Sequence, residues 1–215
     1  MTAQRHDILL WEETSYAVVA IEREWPFHPR KHGLPLHPQC SSCCRGYVAT
    51  YAVRSGFLLL DALALAGDQP SAPPWNDIYT PKAIFRASAS EWEYRNIGIP
   101  IRYSGAIVIG FGLIGDLYRH MGFQRAHCFD TVTELGFEHG RLVDRTDHSA
   151  SMAQVRSRIR AAHESGAEVD PPGKDYAERV RAAFSMDYED KWRYSLPQPT
   201  SQAIRGQKQS IRPED

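Results

Sequence analysis

Short apolar runs, separated by polar or glycine-containing turns, make up the first two thirds of the chain. The runs are rich in β-branched and aromatic residues, which favour strands, and successive strand side chains point to opposite faces. A break of a few polar residues between two such runs is typical of a β-hairpin. The pattern predicts three hairpins, formed by residues 7–11 and 16–21, by residues 46–53 and 57–63, and by residues 131–137 and 141–143.

The segments between the hairpins are less regular. Residues 102–109 form a further apolar run and predict a strand, whereas residues 116–123 fit either a strand or a helix. Residues 25–44 and 67–82 are rich in proline and lack periodicity, so we expect irregular loops there.

Beyond the last hairpin, apolar residues recur at three- and four-residue spacing, which predicts two helices. We expect Ser149 or Ser151 to cap the first helix and Gly166 to end it. The Pro171-Pro172 pair is expected to start the second helix. Met152, Val155, Ile159 and Ala162 recur at this spacing in the first helix, and Tyr176, Val180 and Phe184 share one face of the second.

These elements predict a β-dominated α+β fold: an antiparallel sheet or barrel-like body of hairpins, with two C-terminal helices. We expect a β-rich domain over residues 1–148 and a two-helix extension over residues 149–194. Residues 195–215 are mostly Pro, Gln, Ser and Arg with almost nothing to bury, which predicts a disordered tail.

Charge and apolar content exclude several classes of partner. The 215 residues include 25 basic and 26 acidic side chains, so the net charge of −1 offers no attraction to nucleic acid or to an anionic membrane. The most apolar stretches, 56–67 and 105–115, are interrupted and fall short of the roughly 20 residues that a membrane-spanning helix needs. The N-terminus has no signal-peptide pattern. Three of the four cysteines cluster within residues 40–44, unlike a disulfide framework, so we expect a cytoplasmic protein with reduced thiols.

One motif resembles a dinucleotide fingerprint. Gly110, Gly112 and Gly115 follow an apolar run with G-x-G-x-x-G spacing, and Asp130 lies downstream where it would accept from a ribose hydroxyl. The fingerprint requires a strand–turn–helix unit and an acidic residue about 20 positions on, whereas the neighbouring elements here are hairpins. We therefore expect a glycine-rich strand and turn, and keep an NAD-dependent oxidoreductase as the alternative function.

A cysteine and histidine cluster raises a second alternative, a zinc-stabilised module. Cys40 and Cys43 have the C-x₂-C spacing of many zinc sites, and His37 and Cys44 are close in sequence. They supply half of a tetrahedral site, and the only other pair is His127 with Cys128. We assign no metal site and leave metal binding by these residues open.

Two blocks of residues resemble a family of uncharacterised small bacterial proteins. The first runs from Arg45 through Gly46, Tyr47, Ala49 and Tyr51 as R-G-Y-x-A-x-aromatic, followed by a glycine turn and the leucine-rich run after it. The second begins at Tyr103-Ser104-Gly105, continues through Tyr118, His120, Gly122 and Phe123 as Y-x-H-x-G-F, and closes at 137–142. The resemblance covers residues 7–143 and implies a strand after the glycine turn, and it carries over no catalytic residue.

The function that we expect is non-enzymatic binding of another protein, in the form of an immunity or antidote-type protein for example. A small domain without a nucleophile elbow or a phosphate-binding loop, but with paired aromatics and many arginines, suits an interface. On strands the same aromatics also serve as cross-strand packing partners. We expect no cofactor. The candidate binding residues are Arg45, Tyr47, Tyr51, Tyr103, Tyr118 and His120.

Overall fold

The fold is described by a computed structural model over residues 2–38, 40–67, 75, 82–86, 89–166, 175–188 and 209–210, with backbone alone for 82–86, 89–90 and 209–210. The described strands are β1 (Ile8–Trp11), β2 (Thr14–Ile21), β3 (Tyr47–Arg54), β4 (Phe57–Ala66), β5 (Lys82–Arg86), β6 (Ala89–Tyr94), β7 (Ile99–Pro100), β8 (Gly105–Leu113), β9 (Phe129–Glu138), β10 (Arg141–Asp147) and β11 (Gln209–Ser210). The helices are α1 (Ser149–Glu164) and α2 (Tyr176–Phe184).

The strands form one sheet in the order β11-β10-β9-β8-β2-β1-β3-β4-β6-β5, and β7 also pairs with β4. Strand β10 pairs with β4 through Arg141 and Phe57, so the path from β4 to β10 closes on itself. Two backbone hydrogen bonds support this closure, from Leu58 to Gly140 at 2.8 Å and from Leu142 to Gly56 at 2.8 Å. The β-dominated α+β fold with a barrel-like body is therefore confirmed.

The sheet is mixed rather than wholly antiparallel, because β1 and β3 pair in parallel. The other neighbours pair antiparallel, including the three predicted hairpins β1–β2, β3–β4 and β9–β10. Each hairpin turns through residues with positive φ, as two-residue turns between twisted strands require. At Gly140 (φ +88°) the requirement is also steric, since a Cβ would lie 2.1 Å from the carbonyl oxygen of Ile101.

Two buried clusters hold these elements together. The larger cluster contains apolar residues from most strands of the closed path, among them Leu9, Tyr51, Leu60 and Ile107. The smaller cluster includes Val108 and Val132 of β8 and β9 together with the apolar face of α1. Met152, Val155 and Ile159 are buried as the helical spacing predicts, so α1 packs on the sheet.

The C-terminal residues also contact the sheet. The Phe123 amide donates to the carbonyl oxygen of Ala183 in α2 at 2.8 Å, and the Ile21 amide donates to that of Met186 at 3.0 Å. Met186 belongs to the larger buried cluster. Both segments of the predicted extension are thus attached to strands of the β-rich part.

Several local predictions need correction. No serine caps α1: its first residue, Ser149, instead donates from its amide and its hydroxyl to Asp147 Oδ1, at 2.9 and 2.6 Å. Helix α2 begins at Tyr176, because Asp175 accepts from the Glu178 amide at 2.8 Å. The Pro171-Pro172 pair lies outside the described residues.

The predicted strand at 102–109 begins at Gly105 and extends to Leu113. Residues 116–123 form neither a strand nor an α-helix: residues 116–117 complete a 3-10 turn at Gly115–Leu117, and an irregular loop follows. The predicted loop 25–44 contains a 3-10 turn at Pro29–His32.

The predicted excursion 67–82 and the predicted tail 195–215 lie largely outside the described residues. Within the excursion, Trp75 is buried against Phe27 and Tyr94. From the tail, only β11 is described, and it pairs with β10. Within the described residues, neither helix has the length and apolar character needed to cross a membrane.

Candidate functional site

Arg45 and Asp7 form a buried ion pair at the start of the parallel strands. Asp7 precedes β1 and Arg45 precedes β3, so the parallel pairing of these strands brings the two side chains to one end. Asp7 has no exposed surface and accepts from the Ala49 amide at 2.7 Å. Arg45 Nη1 donates to Asp7 Oδ2 at 3.1 Å, and Nη2 donates to Oδ1. The pair therefore ties the two strands together.

Aromatic rings surround the Arg45 guanidinium. Its central carbon lies 4.5 Å from the ring centroid of Tyr47, 4.8 Å from Trp25 and 5.6 Å from Phe123. Tyr47 and Tyr51 are buried in the larger cluster, and burial raises the pKa of both hydroxyls. The structure thus brings three candidate binding residues together, with Tyr47 and Tyr51 buried and Arg45 partly exposed.

Tyr103 lies apart from that group and is also buried. Its hydroxyl donates to the carbonyl oxygen of Ala106 at 3.0 Å, and burial raises its pKa to about 12. Its ring packs edge-on against Phe137. Tyr103 therefore has a packing role, as strand aromatics commonly do.

Tyr118 and His120 are the two candidate residues at the surface. Their ring centroids are 5.2 Å apart, in the loop that follows the 3-10 turn. The Gln124 side chain holds this loop, because it accepts from the Arg119 amide and donates to the Arg119 carbonyl oxygen, each at 2.8 Å. A buried glutamine thus fixes the backbone between the two exposed rings.

Exposed apolar side chains lie at the end of β8 and at the start of this loop. Phe111 is 50% exposed, Leu113 49% and Tyr118 38%, and we call these three residues the apolar surface. The described residues include two other exposed large hydrophobic side chains, Phe57 and Tyr176. Three of these five exposed side chains therefore lie within eight consecutive residues, 111–118.

A row of aromatic rings leads from the buried Trp11 to Phe111 of the apolar surface. The Phe111 ring centroid lies 6.0 Å from that of Tyr16, which lies 6.1 Å from that of the buried Trp11. The Arg145 guanidinium covers Trp11 at 4.5 Å, and its Nη1 lies 3.5 Å from Glu12 Oε1. Phe111 therefore packs against Tyr16 on one side and is exposed on the other.

The backbone at the apolar surface also has an open edge. Pairing between β2 and β8 ends at Ala17 and Gly110, whereas β8 continues to pair with β9 as far as Leu113 and Phe129. In the described part of the chain, no strand pairs with residues 111–113 on the β2 side. The half-exposed side chains therefore lie beside unpaired backbone groups.

Gly110 and Gly112 of the fingerprint lie against neighbouring residues, whereas a Cβ on Gly115 would meet nothing within 4 Å. A Cβ on Gly110 would lie 2.6 Å from the Phe129 ring, and one on Gly112 would lie 3.2 Å from Cβ of Asp130. The segment after the strand is the three-residue 3-10 turn at Gly115, and residues 105–130, which are all described, contain no α-helix. The helix N-terminus that would hold a pyrophosphate is thus missing from this segment. Asp130 lies at the surface, 3.9 Å from Arg156 Nη2.

The thiols have separate partners. Cys43 Sγ donates to the Tyr47 carbonyl oxygen at 3.5 Å, and Cys128 Sγ donates to that of Leu117 at 3.3 Å. Cys40 Sγ lies 3.1 Å from the Ser42 hydroxyl. Among the described residues, His, Cys, Asp and Glu side chains form no group of three that could hold a metal ion. The zinc-stabilised alternative therefore has no ligand set in this part of the protein.

Sequence reasoning missed Phe111 and Leu113, the two most exposed members of the apolar surface. The glycines around them suggested a nucleotide loop and drew attention away from the side chains between them. The available signal was an apolar run that outlasts its predicted strand, which ends at residue 109 in the sequence pattern. A scan against protein-family models and searches of curated proteins and of solved structures found no match.

Proposed function

We propose that the protein is a non-enzymatic, cytoplasmic binding module that takes another protein onto its apolar surface. The observation that carries the proposal is the concentration of half-exposed Phe111, Leu113 and Tyr118 in one short segment. Aromatic side chains seated on a firm base are the usual anchors of protein interfaces. All four cysteines are free thiols, which supports a reducing compartment.

The surroundings of the apolar surface fit an interface. Asp116 and Arg160 form an exposed ion pair at 2.9 Å, and Asp130 is exposed nearby in sequence. Protein interfaces combine an apolar centre with a polar rim of this kind. The unpaired edge of β8 adds backbone donors and acceptors that a partner strand would use.

The experiment begins with a tagged full-length chain as bait in lysate of the native host, and then measures direct binding with the purified partner. The test variant is Phe111→Ser, and the matched control is Tyr176→Ser, because Tyr176 is an aromatic residue of α2 that is 69% exposed. We expect Phe111→Ser to weaken binding about tenfold or more, as loss of an interface anchor does. Tyr176→Ser should bind like the wild type.

Three results would overturn the proposal. The first is a chain that captures no stoichiometric partner. The second is a partner whose affinity is reduced equally by Phe111→Ser and Tyr176→Ser, which would separate binding from the apolar surface. The third is a concentration-dependent dimer that Phe111→Ser dissolves, which would assign the surface to a second copy of the chain. A toxin as the captured partner would identify the immunity or antidote form of the function.

A further inference from the structure

A pocket of about 360 Å³ lies between the loop that precedes β3 and the start of that strand. Its volume falls within the range of small-molecule sites. The lining residues are His28, Arg30, Leu36, His37, Pro38, Cys44 and Arg45. The apolar surface contributes none of them, so the pocket is independent of the proposed protein contact.

The local backbone builds the walls of this pocket. The 3-10 turn at Pro29–His32 starts with a proline and stops at Gly33, and the buried Leu34 anchors the chain directly after it. Gly46 has φ +78°, and a Cβ there would lie 2.0 Å from the His37 carbonyl oxygen. Only glycine permits this close contact between the backbones of residues 46 and 37, which holds the loop against the start of β3.

Among the described residues, the lining is rich in cationic and neutral nitrogen donors and contains no carboxylate. Arg30 is exposed, and within the described residues no carboxylate pairs with it. Burial and the charges of Lys31 and Arg30 lower the pKa of His28, so its ring favours the neutral form, which still offers one donor. Leu36 and Pro38 supply apolar surface beside these groups.

Arg45 is held rigidly at the pocket wall. Asp7 accepts from Nη1 and Nη2, and the rings of Trp25 and Tyr47 enclose the guanidinium. A guanidinium carries five N–H groups, so the two bonds to Asp7 leave others for a ligand. An arginine fixed before binding loses little conformational entropy when it binds an oxyanion.

We propose that this pocket binds a small organic molecule through a carboxylate or phosphate group, with Arg30 and Arg45 as the charged contacts. The two histidines donate to the same group, and the apolar wall accommodates the carbon skeleton of the ligand. Arg30 supplies the uncompensated positive charge, because Asp7 already balances Arg45. This pocket would bind a small molecule, whereas the proposed partner protein would bind at the apolar surface.

The first test measures binding of inorganic phosphate and of citrate to the full-length chain at low ionic strength, by calorimetry and by melting temperature. Sodium chloride at matched ionic strength is the blank. A saturable heat and a rise in melting temperature are expected for one of the two probes, and which one responds distinguishes phosphate from carboxylate recognition. A response no larger than the blank with both probes would overturn the proposal.

The test variant is Arg30→Gln, and the matched control is Arg158→Gln, which removes the same charge from an exposed position of α1. A charge-assisted hydrogen bond lost from Arg30 should weaken the responding probe about tenfold or more, while the control leaves its affinity unchanged. Equal weakening by both substitutions would show general charge attraction instead of a site.

The exposed thiol of Cys44 gives a second readout inside the pocket. Its alkylation by iodoacetate, relative to the neutral iodoacetamide, is quantified on the peptide that carries it. The positive lining should favour the anionic reagent, and Arg30→Gln should lower the ratio at Cys44, whereas Arg158→Gln should not. The responding probe should also slow alkylation of Cys44. Binding that leaves the alkylation rate of Cys44 unchanged would place the anion elsewhere and overturn the proposal.

Discussion

Replacing Arg45 with methionine would leave the Asp7 carboxylate buried in the sheet without its counter-charge. The wild-type guanidinium donates two hydrogen bonds to that carboxylate. Hydrogen bonds to charged groups contribute about 1.5–3 kcal/mol each, so the two together account for about 3–6 kcal/mol. Removing one partner of a buried ion pair costs about 3–5 kcal/mol. We therefore expect Arg45→Met to lower the free energy of unfolding by about 4 kcal/mol.

The assay is urea unfolding at neutral pH, followed by tryptophan fluorescence. Arg158→Met is the control, because it deletes an exposed arginine on α1 and should change stability by less than about 0.5 kcal/mol. The double variant Asp7→Asn with Arg45→Met removes both charges, and it should be more stable than Arg45→Met alone. That recovery would separate the cost of an unpaired charge from the cost of lost packing.

The pH dependence of the stability of Arg45→Met tests whether the unpaired Asp7 charge causes the loss. Burial raises the pKa of Asp7, and Arg45 opposes that rise, so without Arg45 the folded-state pKa should increase further. When the pKa of a carboxyl group is higher in the folded state than in the unfolded state, folding favours its protonated form. The fold therefore keeps its stability below the unfolded-state pKa of about 3.9 and loses stability as the pH rises through the folded-state pKa. The loss of unfolding free energy in Arg45→Met, relative to the wild type, should therefore grow between pH 4 and pH 7. A deficit below about 1 kcal/mol, or one that is constant over this range, would refute the reasoning.

Three further substitutions test local geometry through urea unfolding. Gly110→Ala places a Cβ 2.6 Å from the Phe129 ring, and overpacking of this kind should cost about 1–3 kcal/mol. Gly140→Ala combines φ +88° with a Cβ 2.1 Å from a carbonyl oxygen, and should cost about 2–5 kcal/mol. Hydrogen bonds from the first residue of α1 lower the pKa of Asp147, so its charge stabilises the fold above pH 3.8. Asp147→Asn should cost about 0.5 kcal/mol at neutral pH, a difference that disappears as pH falls through the lowered folded-state pKa.

The controls for these substitutions lie in the same chain. Gly115→Ala meets nothing within 4 Å and should be nearly neutral, so a comparable loss there would show that any added methyl is harmful. If Gly140→Ala proved as stable as Gly115→Ala, the turn geometry described for the third hairpin would be wrong. An Asp147→Asn difference that persisted at pH 2 would mean that the carboxylate charge is not its source.

The sequence predicted the parts of the fold that short-range patterns encode. Residues such as Ser55-Gly56 and His139-Gly140 indicated the hairpin turns. Helical spacing alone identified Met152, Val155 and Ile159 as one face of α1. Helix starts were less accurate, because the acceptors at the two starts, Asp147 for the Ser149 amide and Asp175 for the Glu178 amide, lie outside the residues that the pattern favoured.

The partners of distant strands could not be predicted in this way. The parallel pair β1–β3 and the closure of β10 onto β4 join segments far apart in sequence, and alternation of side chains does not specify which strand lies alongside. The same limit affected the candidate site. Alternation placed Tyr47 and Tyr51 on one face, but in a closed sheet that face is the interior. Phe111 appeared to continue a buried strand, yet pairing with β2 ends one residue earlier.

Closure of the sheet through Arg141 and Phe57 has a consequence for aggregation. A closed sheet hides the hydrogen-bonding edges of the strands that meet there, whereas exposed strand edges template association between chains. Here the junction rests on one residue pair and on hydrogen bonds beside Gly140. A perturbation that opens it uncovers two edges at once while leaving most of the strands intact. Light scattering, rather than loss of circular dichroism, should therefore give the first signal of damage at this junction.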